Sequence, residues 1–258
     1  MDPSITTLTV LGSSGASPTR TNPASGYLVS SGATTLWMDA GTGTFMALGA
    51  HTDPGMLSGV VISHIHVDHC ADLFGLYGYL AYGPSGVVPI PVYVPEGAAE
   101  HLAAFAGAGA EHVFRVVLDI VEVGAGEEVT VGELRLRFGD ANHSVPGLVT
   151  RVEAAEGVLA YSGDTGPGSD LNSVAAGVDL LLCEASIAGS RNDQTYPYHL
   201  TASEAGAIAE AAGAARLVVT HFATGVVPET AVAEAAAEFT GRVDAAQPGD
   251  TFTIGEEP

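Results

Sequence analysis

The sequence contains no lysine, and its eight arginines face 30 acidic residues, which gives the 258-residue chain a formal net charge of −22. Non-specific affinity for DNA or RNA comes mainly from cationic side chains that neutralise phosphates. A long polyanion would meet a repelling surface, so we expect extended nucleic acid to be a poor partner. The 47% share of hydrophobic residues is that of an ordinary globular protein. The length suits one large α/β domain, and we expect a single domain over residues 1–258.

Cysteine and long apolar segments are also scarce. Only Cys70 and Cys183 are present, and neither belongs to a C-x-x-C pair, so no disulfide framework is expected. No apolar run reaches the ~18 residues that a membrane-spanning helix requires. The N-terminal segment M-D-P-S-I-T-T-L-T-V lacks the basic start and the apolar stretch of a secretory signal. We therefore expect a soluble, cytoplasmic protein that does not enter a membrane.

What the sequence does contain is a regular alternation of short β-branched segments, alanine-rich helical segments and glycine-rich turns. Residues 122–162 have the pattern of consecutive antiparallel strands, with 129–138 as one of them, whereas the flanking segments have the pattern of β-α units. A helix is predicted after Cys70, and another is predicted to start at Thr201, which forms a T-x-x-E capping box with Glu204. The combination predicts an α/β fold in which two mixed sheets pack together with helices on their outer faces.

The segment 63–69, S-H-I-H-V-D-H, follows an apolar strand and precedes the helix predicted after Cys70. Alternate residues of an extended segment share a face, so His64 and His66 can bind one cation. The turn into the helix then directs Asp68 and His69 toward a second cation nearby. Imidazole and carboxylate ligands suit zinc, and also iron or manganese. A polar loop that happens to contain three histidines is the alternative, but four potential ligands within one short segment argue against it.

This segment resembles the H-x-H-x-D-H motif of the metallo-β-lactamase superfamily of dinuclear metallohydrolases. That superfamily places three further ligands in order along the chain, each after a strand, and this sequence matches them with His143, Asp164 and His221. Alone, the two histidines would be ordinary polar residues and the aspartate a turn residue. The resemblance implies two divalent metal ions bridged by Asp164, with Zn²⁺ as the first expectation and Mn²⁺ or Fe²⁺ as alternatives. It assigns His64, His66 and His143 to one metal and Asp68, His69 and His221 to the other.

Two further residues form a candidate proton donor for a leaving group. Glu184 ends a predicted strand, and His199 directly precedes the capping-box helix. A glutamate that orients a histidine is a sound general acid, and the alternative is a helix-entry histidine beside a solvated glutamate. The surrounding E-A-S and H-L-T segments resemble the ribonuclease Z branch, which implies that His199, Glu184 and the metal-binding Asp68 are catalytic. Asp39, in M-D-A-G-T-G, is either an orienting partner of a metal-binding histidine or a turn residue before Gly41.

This sequence differs from the ribonuclease Z branch in the lengths of the segments between its ligands, and these differences limit the size of the substrate. Bacterial ribonuclease Z enzymes carry a tRNA-binding arm between the third histidine and the bridging aspartate, but His143 and Asp164 are only 21 positions apart here. The 57 positions from Asp164 to His221 and the 37 residues after His221 are too few for the substrate domains of other members. The segments P-A-S-G-Y-L, Y-S-G-D-T-G and L-C-E-A-S resemble those of the actinobacterial atypical class II cyclic-nucleotide phosphodiesterases.

That resemblance implies hydrolysis of 3′,5′-cyclic AMP, or of a related cyclic nucleotide, to the 5′-monophosphate. The expected partner is then a small-molecule phosphodiester, and a homodimer is the assembly common in the family. Three alternatives stay open at this point: a ribonuclease that acts on tRNA 3′ ends or unstructured RNA, a lactonase or other ester hydrolase, and a non-catalytic protein that has kept the fold.

Overall fold

The computed structural model describes residues 5–83, 88–107, 109–192 and 194–255, and these form two seven-stranded sheets. In spatial order the first sheet contains β14 (Thr251–Ile254), β1 (Thr6–Gly12), β2 (Gly26–Ser31), β3 (Thr34–Met38), β4 (Gly59–Val61), β5 (Ile90–Pro95) and β6 (Leu118–Val123). The second contains β13 (Arg242–Ala245), β12 (Arg216–Thr220), β11 (Leu180–Glu184), β10 (Val158–Tyr161), β9 (Leu148–Glu153), β8 (Leu134–Asp140) and β7 (Glu128–Val131).

Each sheet has an antiparallel half and a parallel half. In the first sheet β14, β1, β2 and β3 are antiparallel neighbours, and β3 to β6 run parallel. In the second sheet β7 to β10 are antiparallel, and β10 to β13 run parallel. Parallel neighbours need crossover connections, which helices usually supply. The two mixed sheets predicted from the sequence are therefore confirmed.

Three apolar clusters fix the order of the layers. The first lies between the sheets and includes Leu8 and Tyr27 from one sheet and Phe138 and Tyr161 from the other. The other two lie between each sheet and the helices that cover its outer face. The first sheet is covered by α1 (Thr44–Leu48), α2 (Val67–Cys70), α3 (Leu73–Tyr82), α4 (Ala98–Phe105) and α5 (Glu111–Val117). The second is covered by α6 (Leu171–Val174), α7 (Ala202–Ala212) and α8 (Pro228–Ala236).

Local signals in the sequence differ in how well they predicted these elements. The capping box is confirmed, because Thr201 and Glu204 bond each other's backbone at the start of α7. The single strand predicted over 129–138 is wrong: β7 and β8 form a hairpin that turns at Gly132, whose φ of 55° is left-handed. Apolar and polar residues alternate on both sides of the turn, so Gly132 is the one feature of the sequence that indicates a turn here. The helix predicted after Cys70 is confirmed as α3, and the short helix α2 precedes it.

Within the described ranges, no helix has the length and apolar content that crossing a bilayer would require.

Gly41 allows the segment after β3 to pack against α2. A Cβ at this position would overlap the carbonyl oxygen of Asp68 and would lie 2.6 Å from that of Ser25. Because backbone atoms cannot swing aside as side chains do, we expect Gly41→Ala to lower the free energy of unfolding by about 1–3 kcal/mol. Urea denaturation measures the change. The control is Gly78→Ala in α3, where a Cβ meets nothing within 4 Å, and equal midpoints for both variants would contradict this packing.

Candidate active site

The candidate ligands lie where parallel strands end. His64 follows β4, Asp164 follows β10 and His221 follows β12, while Glu184 is the last residue of β11. Strands β10, β11 and β12 are parallel neighbours, so their carboxyl ends meet at one edge of the second sheet. Such edges are where open α/β sheets bind ligands. The topology therefore gathers residues that are far apart in the sequence.

Three histidines form the first group of candidate metal ligands. The Nε2 atom of His64 lies 3.0 Å from Nδ1 of His66, and that Nδ1 lies 3.1 Å from Nε2 of His143. Ligand nitrogens around one tetrahedral zinc ion are about 3.3 Å apart, because Zn–N bonds are about 2.0–2.1 Å long. The three nitrogen atoms have the spacing of ligands to a single ion.

Asp68, His69, Asp164 and His221 form the second group. Nε2 of His69 lies 3.2 Å from Oδ1 of Asp164, and Nε2 of His221 lies 3.2 Å from Oδ2 of Asp164. Oδ2 of Asp68 lies 3.6 Å from Nε2 of His69 and 3.9 Å from that of His221. Oδ2 of Asp164 is also 3.8 Å from Nε2 of His64 in the first group. Asp164 thus lies between the two groups, where the resemblance to the metallo-β-lactamase superfamily implies a bridging ligand.

Two atoms of the second group are buried and unsatisfied. Among the described residues, Nε2 of His69 and Oδ1 of Asp164 are buried and make no hydrogen bond. An unpaired buried polar group costs about 1–3 kcal/mol. A divalent cation that accepts both atoms as ligands would remove this cost. The imidazole and carboxylate donors present fit zinc or another divalent transition metal.

Buried negative charge points to the same conclusion. Asp39, Asp68, Asp164 and Glu184 are all buried. Throughout the part of the chain that the structure describes, every ion-pair partner within 4.0 Å of these carboxylates is a histidine, and none is an arginine. Buried carboxylates that lack a cation are strongly destabilising. The cluster therefore has an excess of negative charge, which two divalent cations would offset.

Five histidines are oriented by a polar contact at Nδ1. Such bonds fix the tautomer and the direction in which the free nitrogen points. The Nδ1 contacts are His64 with Ser63 Oγ at 3.1 Å, His69 with Asp39 Oδ2 at 2.7 Å, His143 with the Tyr198 carbonyl at 3.1 Å, His221 with Ser25 Oγ at 2.7 Å, and His199 with Glu184 Oε1 at 3.0 Å.

Asp39 is an orienting residue, which decides between its two sequence interpretations. Besides His69, its carboxylate accepts hydrogen bonds from the Ser63 backbone N–H at 2.6 Å, the Ser63 hydroxyl at 2.7 Å and the Tyr161 hydroxyl at 2.6 Å. Asp39 and His221 have φ values of 56° and 55°, in the left-handed region. Such conformations cost about 1–3 kcal/mol each and persist only where the surroundings enforce them. The strain is therefore located at the site.

Burial and charge set the protonation states of the ligands. Burial lowers the pKa of His64 well below its usual value, and it also lowers the pKa of His143 and His221. Burial also lowers the pKa of His69, but the charges of Asp164 and Asp39 outweigh it and raise the pKa well above the ordinary value. Burial raises the pKa of Asp164, but His221 and His69 outweigh that and hold it well below its ordinary value. Neutral imidazoles and an ionised carboxylate are the forms that bind metals, so a cation in the second group would compete with a proton on His69.

The predicted Glu184–His199 pair is formed at the rim of the cluster. Nδ1 of His199 lies 3.0 and 3.1 Å from the two carboxylate oxygens of Glu184, and 3.9 Å from Oδ2 of Asp164. Glu184 is fixed in turn, because it accepts hydrogen bonds from the Thr165 N–H at 2.7 Å and the Ser186 hydroxyl at 2.6 Å. Burial lowers the pKa of His199, but the hydrogen bond and charge of Glu184 outweigh it and raise the pKa. The imidazole can therefore store a proton beside the ligand cluster.

All the site residues predicted from the sequence lie together in these two groups and the adjoining pair. The three histidines outside the site, His51, His101 and His112, are exposed. Sequence reasoning did not assign roles to the hydroxyl groups of Ser63 and Ser25. The position of Ser63 beside His64 was the one available signal, since the serine at residue 25 is far from His221 in the sequence.

Comparison with known proteins places the chain in a family. Residues 34–222 match the model of the beta-lactamase superfamily domain. The chain belongs to this superfamily. An uncharacterized protein of Mycobacterium leprae (strain TN) is 36% identical over 252 residues, which covers 96% of this chain and 88% of that protein. Ribonuclease Z of Mycobacterium bovis (strain BCG / Pasteur 1173P2) is 28% identical over 263 residues, covering 92% of this chain and 94% of that enzyme.

A solved structure gives the same result for the fold. The crystal structure of the metallo-beta-lactamase fold protein YhfI from Bacillus subtilis matches with a TM-score of 0.86 at 25% identity, covering 97% of this chain and 99% of that one. The predicted metallo-β-lactamase fold is thereby confirmed. Family membership and the histidine–aspartate cluster identify this superfamily member as a metal-dependent hydrolase.

Replacing Asp39 tests the role of the orienting network. An asparagine at this position would keep the size of the side chain, but it would lose the negative charge and one of the acceptors that hold His69 and Ser63. We expect Asp39→Asn to weaken metal binding by about 10–100-fold. Competition with a chromophoric zinc chelator measures the affinity. Asp119→Asn, on the exposed side of β6, is the control; equal affinities for the two variants would show that Asp39 does not orient a ligand.

Proposed function

We propose that the protein is a dinuclear-metal phosphodiesterase that hydrolyses a 3′,5′-cyclic nucleotide, such as cyclic AMP, to the 5′-monophosphate. The observation that carries this proposal is the Glu184–His199 pair, which holds a protonatable imidazole 3.9 Å from Asp164. An alkoxide that leaves phosphorus needs a proton donor, whereas esters with good leaving groups do not. The pair therefore favours phosphodiester chemistry over the lactonase alternative.

The two ligand groups would hold two divalent cations, for which we propose Zn²⁺ first and Mn²⁺ second. When bound, such cations act as Lewis acids on phosphate oxygens and lower the pKa of a coordinated water. Asp164 lies within reach of both groups, as a shared ligand must. The residues proposed as ligands are His64, His66 and His143 for one cation, Asp68, His69 and His221 for the other, and Asp164 for both.

His199 is the proposed general acid, and Glu184 positions it. Because Glu184 accepts the Nδ1–H hydrogen bond, the proton to be donated is on Nε2. A water supplies the oxygen of the new bond to phosphorus, and the proton that it releases replaces the one that His199 donates. As the P–O3′ bond breaks, the departing 3′ oxygen takes the proton from Nε2. Thr165 and Ser186 hold the glutamate carboxylate in place, so the imidazole keeps one orientation through the reaction.

The surroundings of the site support a small substrate. A cavity of about 700 Å³ opens beside His143, and such a volume suits a small molecule. Glu96, Glu127 and Asp140 line it, and no arginine is among its described lining residues. Further phosphates would be repelled there, in keeping with the net charge of −22. Between His143 and Asp164 the chain forms only β9, β10 and turns, which leaves nothing to clamp a tRNA.

A ribonuclease that processes tRNA 3′ ends is the second candidate. The similarity to ribonuclease Z of M. bovis extends over 92% of this chain and favours it. The same ligands and the same Glu184–His199 pair would cleave an RNA phosphodiester. Cleavage of precursor tRNA by the purified protein at low salt would support this candidate, and inertness over a range of salt concentrations would remove it.

His199→Ala tests the reaction class. We expect hydrolysis of cyclic AMP to fall by about 10²–10⁴-fold, because the leaving oxygen loses its proton donor, while opening of an activated lactone barely changes. The assays use zinc-loaded and manganese-loaded enzyme with cyclic mononucleotides, cyclic dinucleotides, precursor tRNA and a lactone. His101→Ala, at an exposed position, is the control. The proposal fails if the metal-loaded wild type turns over neither a cyclic nucleotide nor bis(p-nitrophenyl) phosphate.

A further inference from the structure

Arg191 contacts the segment that carries His199, although it belongs to neither ligand group. Its guanidinium donates to the carbonyl of Tyr196 at 3.2 Å and to the carbonyl of His199 itself. It also donates to Glu204, through Nε at 2.5 Å and Nη2 at 2.8 Å. The Arg191 side chain thus links the carbonyl groups of Tyr196 and His199 to the Glu204 carboxylate in α7.

The carboxylate of Glu204 is a rigid anchor. It is the acidic member of the capping box, and its Oε2 accepts the Thr201 N–H at 2.8 Å. Arg191 therefore ties residues 196–199 to the first turn of α7. A planar guanidinium suits this role, because its fixed fork of donors can satisfy a carboxylate and carbonyl groups together.

The opposite side of the segment is also held in place. The backbone of Pro197 approaches Gly166 so closely that a Cβ at Gly166 would overlap the Pro197 carbonyl oxygen. The Tyr198 carbonyl contacts Nδ1 of His143 at 3.1 Å. Residues 196–199 are thus confined between the loop after Asp164 and the arginine. The contact of Arg191 with the His199 carbonyl holds the backbone of the same residue whose imidazole faces the site.

We propose that Arg191 is a positioning residue that holds the His199 imidazole in line for proton donation. The inference rests on the proposed function, since it assigns Arg191 a part in the step that His199 performs. A displacement of about 1 Å can cost roughly 10²-fold in rate when a catalytic group must be aligned. The side chain of Arg191 is 26% exposed, so solvent screens its ion pair with Glu204 and the pair adds little to the free energy of unfolding. Its hydrogen bonds to the backbone still fix the geometry of the segment.

The experiment compares two diesters that differ in leaving group. Cyclic AMP releases an alkoxide that needs the proton of His199, and bis(p-nitrophenyl) phosphate releases a phenolate that does not. For zinc-loaded Arg191→Gln we expect kcat for cyclic AMP to fall by about 10–100-fold with KM changed less than about threefold. The kcat for bis(p-nitrophenyl) phosphate should change less than about threefold, and the zinc content should equal that of the wild type.

The matched control is Arg115→Gln, which breaks a similar arginine–glutamate pair with Glu100 on the surface of α4 and α5. It should leave both activities unchanged. Equal losses on the two diesters in Arg191→Gln would overturn the inference, because they would indicate general disruption of the site. Unchanged turnover of cyclic AMP would overturn it as well.

A second measurement separates this inference from the proposed function. In the zinc-loaded wild type, the Nδ1–H proton of His199 should give a protected NMR signal, identified by its loss in His199→Ala. In Arg191→Gln we expect that proton to exchange at least about tenfold faster with water, because the imidazole leaves Glu184 more often. An unchanged exchange rate would overturn the inference. If the wild type hydrolyses neither diester, the proposed function fails, and this signal alone decides the role of Arg191.

Discussion

The structure depends on how negative charge is accommodated at the carboxyl ends of the strands. Asp39, Asp68, Asp164 and Glu184 are buried there, and within the described ranges only histidines pair with them. An arginine at this place would neutralise the carboxylates and also occupy the space that a substrate needs. Divalent cations neutralise the same charge and leave positive potential for a phosphate. The lack of lysine and the net charge of −22 are compatible with such a site, because bound cations would supply the positive charge that a phosphate needs.

The fold meets this requirement by holding its loops close together. Glycines at positions 41 and 166 allow backbone segments to approach one another closely, and Asp39 and His221 accept left-handed conformations next to them. Strain of this kind is typical of functional sites that are held by their surroundings. Bonds from Asp39, Ser25 and Ser63 then aim the imidazoles and fix the direction of their free nitrogens.

The sequence could predict much of this site, because metal ligands must be particular residue types at strand ends. The H-x-H-x-D-H segment, the later ligands in order and the capping box before α7 were all readable, and so was the pairing of Glu184 with His199. The role of Asp39 was not, since an aspartate before a glycine looks the same in a turn as beside a ligand. Arg191 gave no signal either, because its partners include backbone carbonyls, which leave no trace in the sequence.

Long-range pairing was harder to predict than local chemistry. The C-terminal strand β14 joins the first sheet beside β1 at the far end of the chain, and local propensity carries no information about such a partner. The hairpin of β7 and β8 was missed for a different reason, since period-two alternation on both sides of Gly132 imitates one long strand. None of these strands contains a predicted site residue, so the site prediction did not depend on them.

The central claim is that two divalent cations compensate the buried carboxylates. Native mass spectrometry of the wild-type protein, loaded with zinc and then desalted, tests it most directly. The account predicts two zinc ions per chain, and a lower midpoint of thermal unfolding once a chelator has removed them. Fewer than one bound ion per chain, or a midpoint that the chelator leaves unchanged, would contradict it.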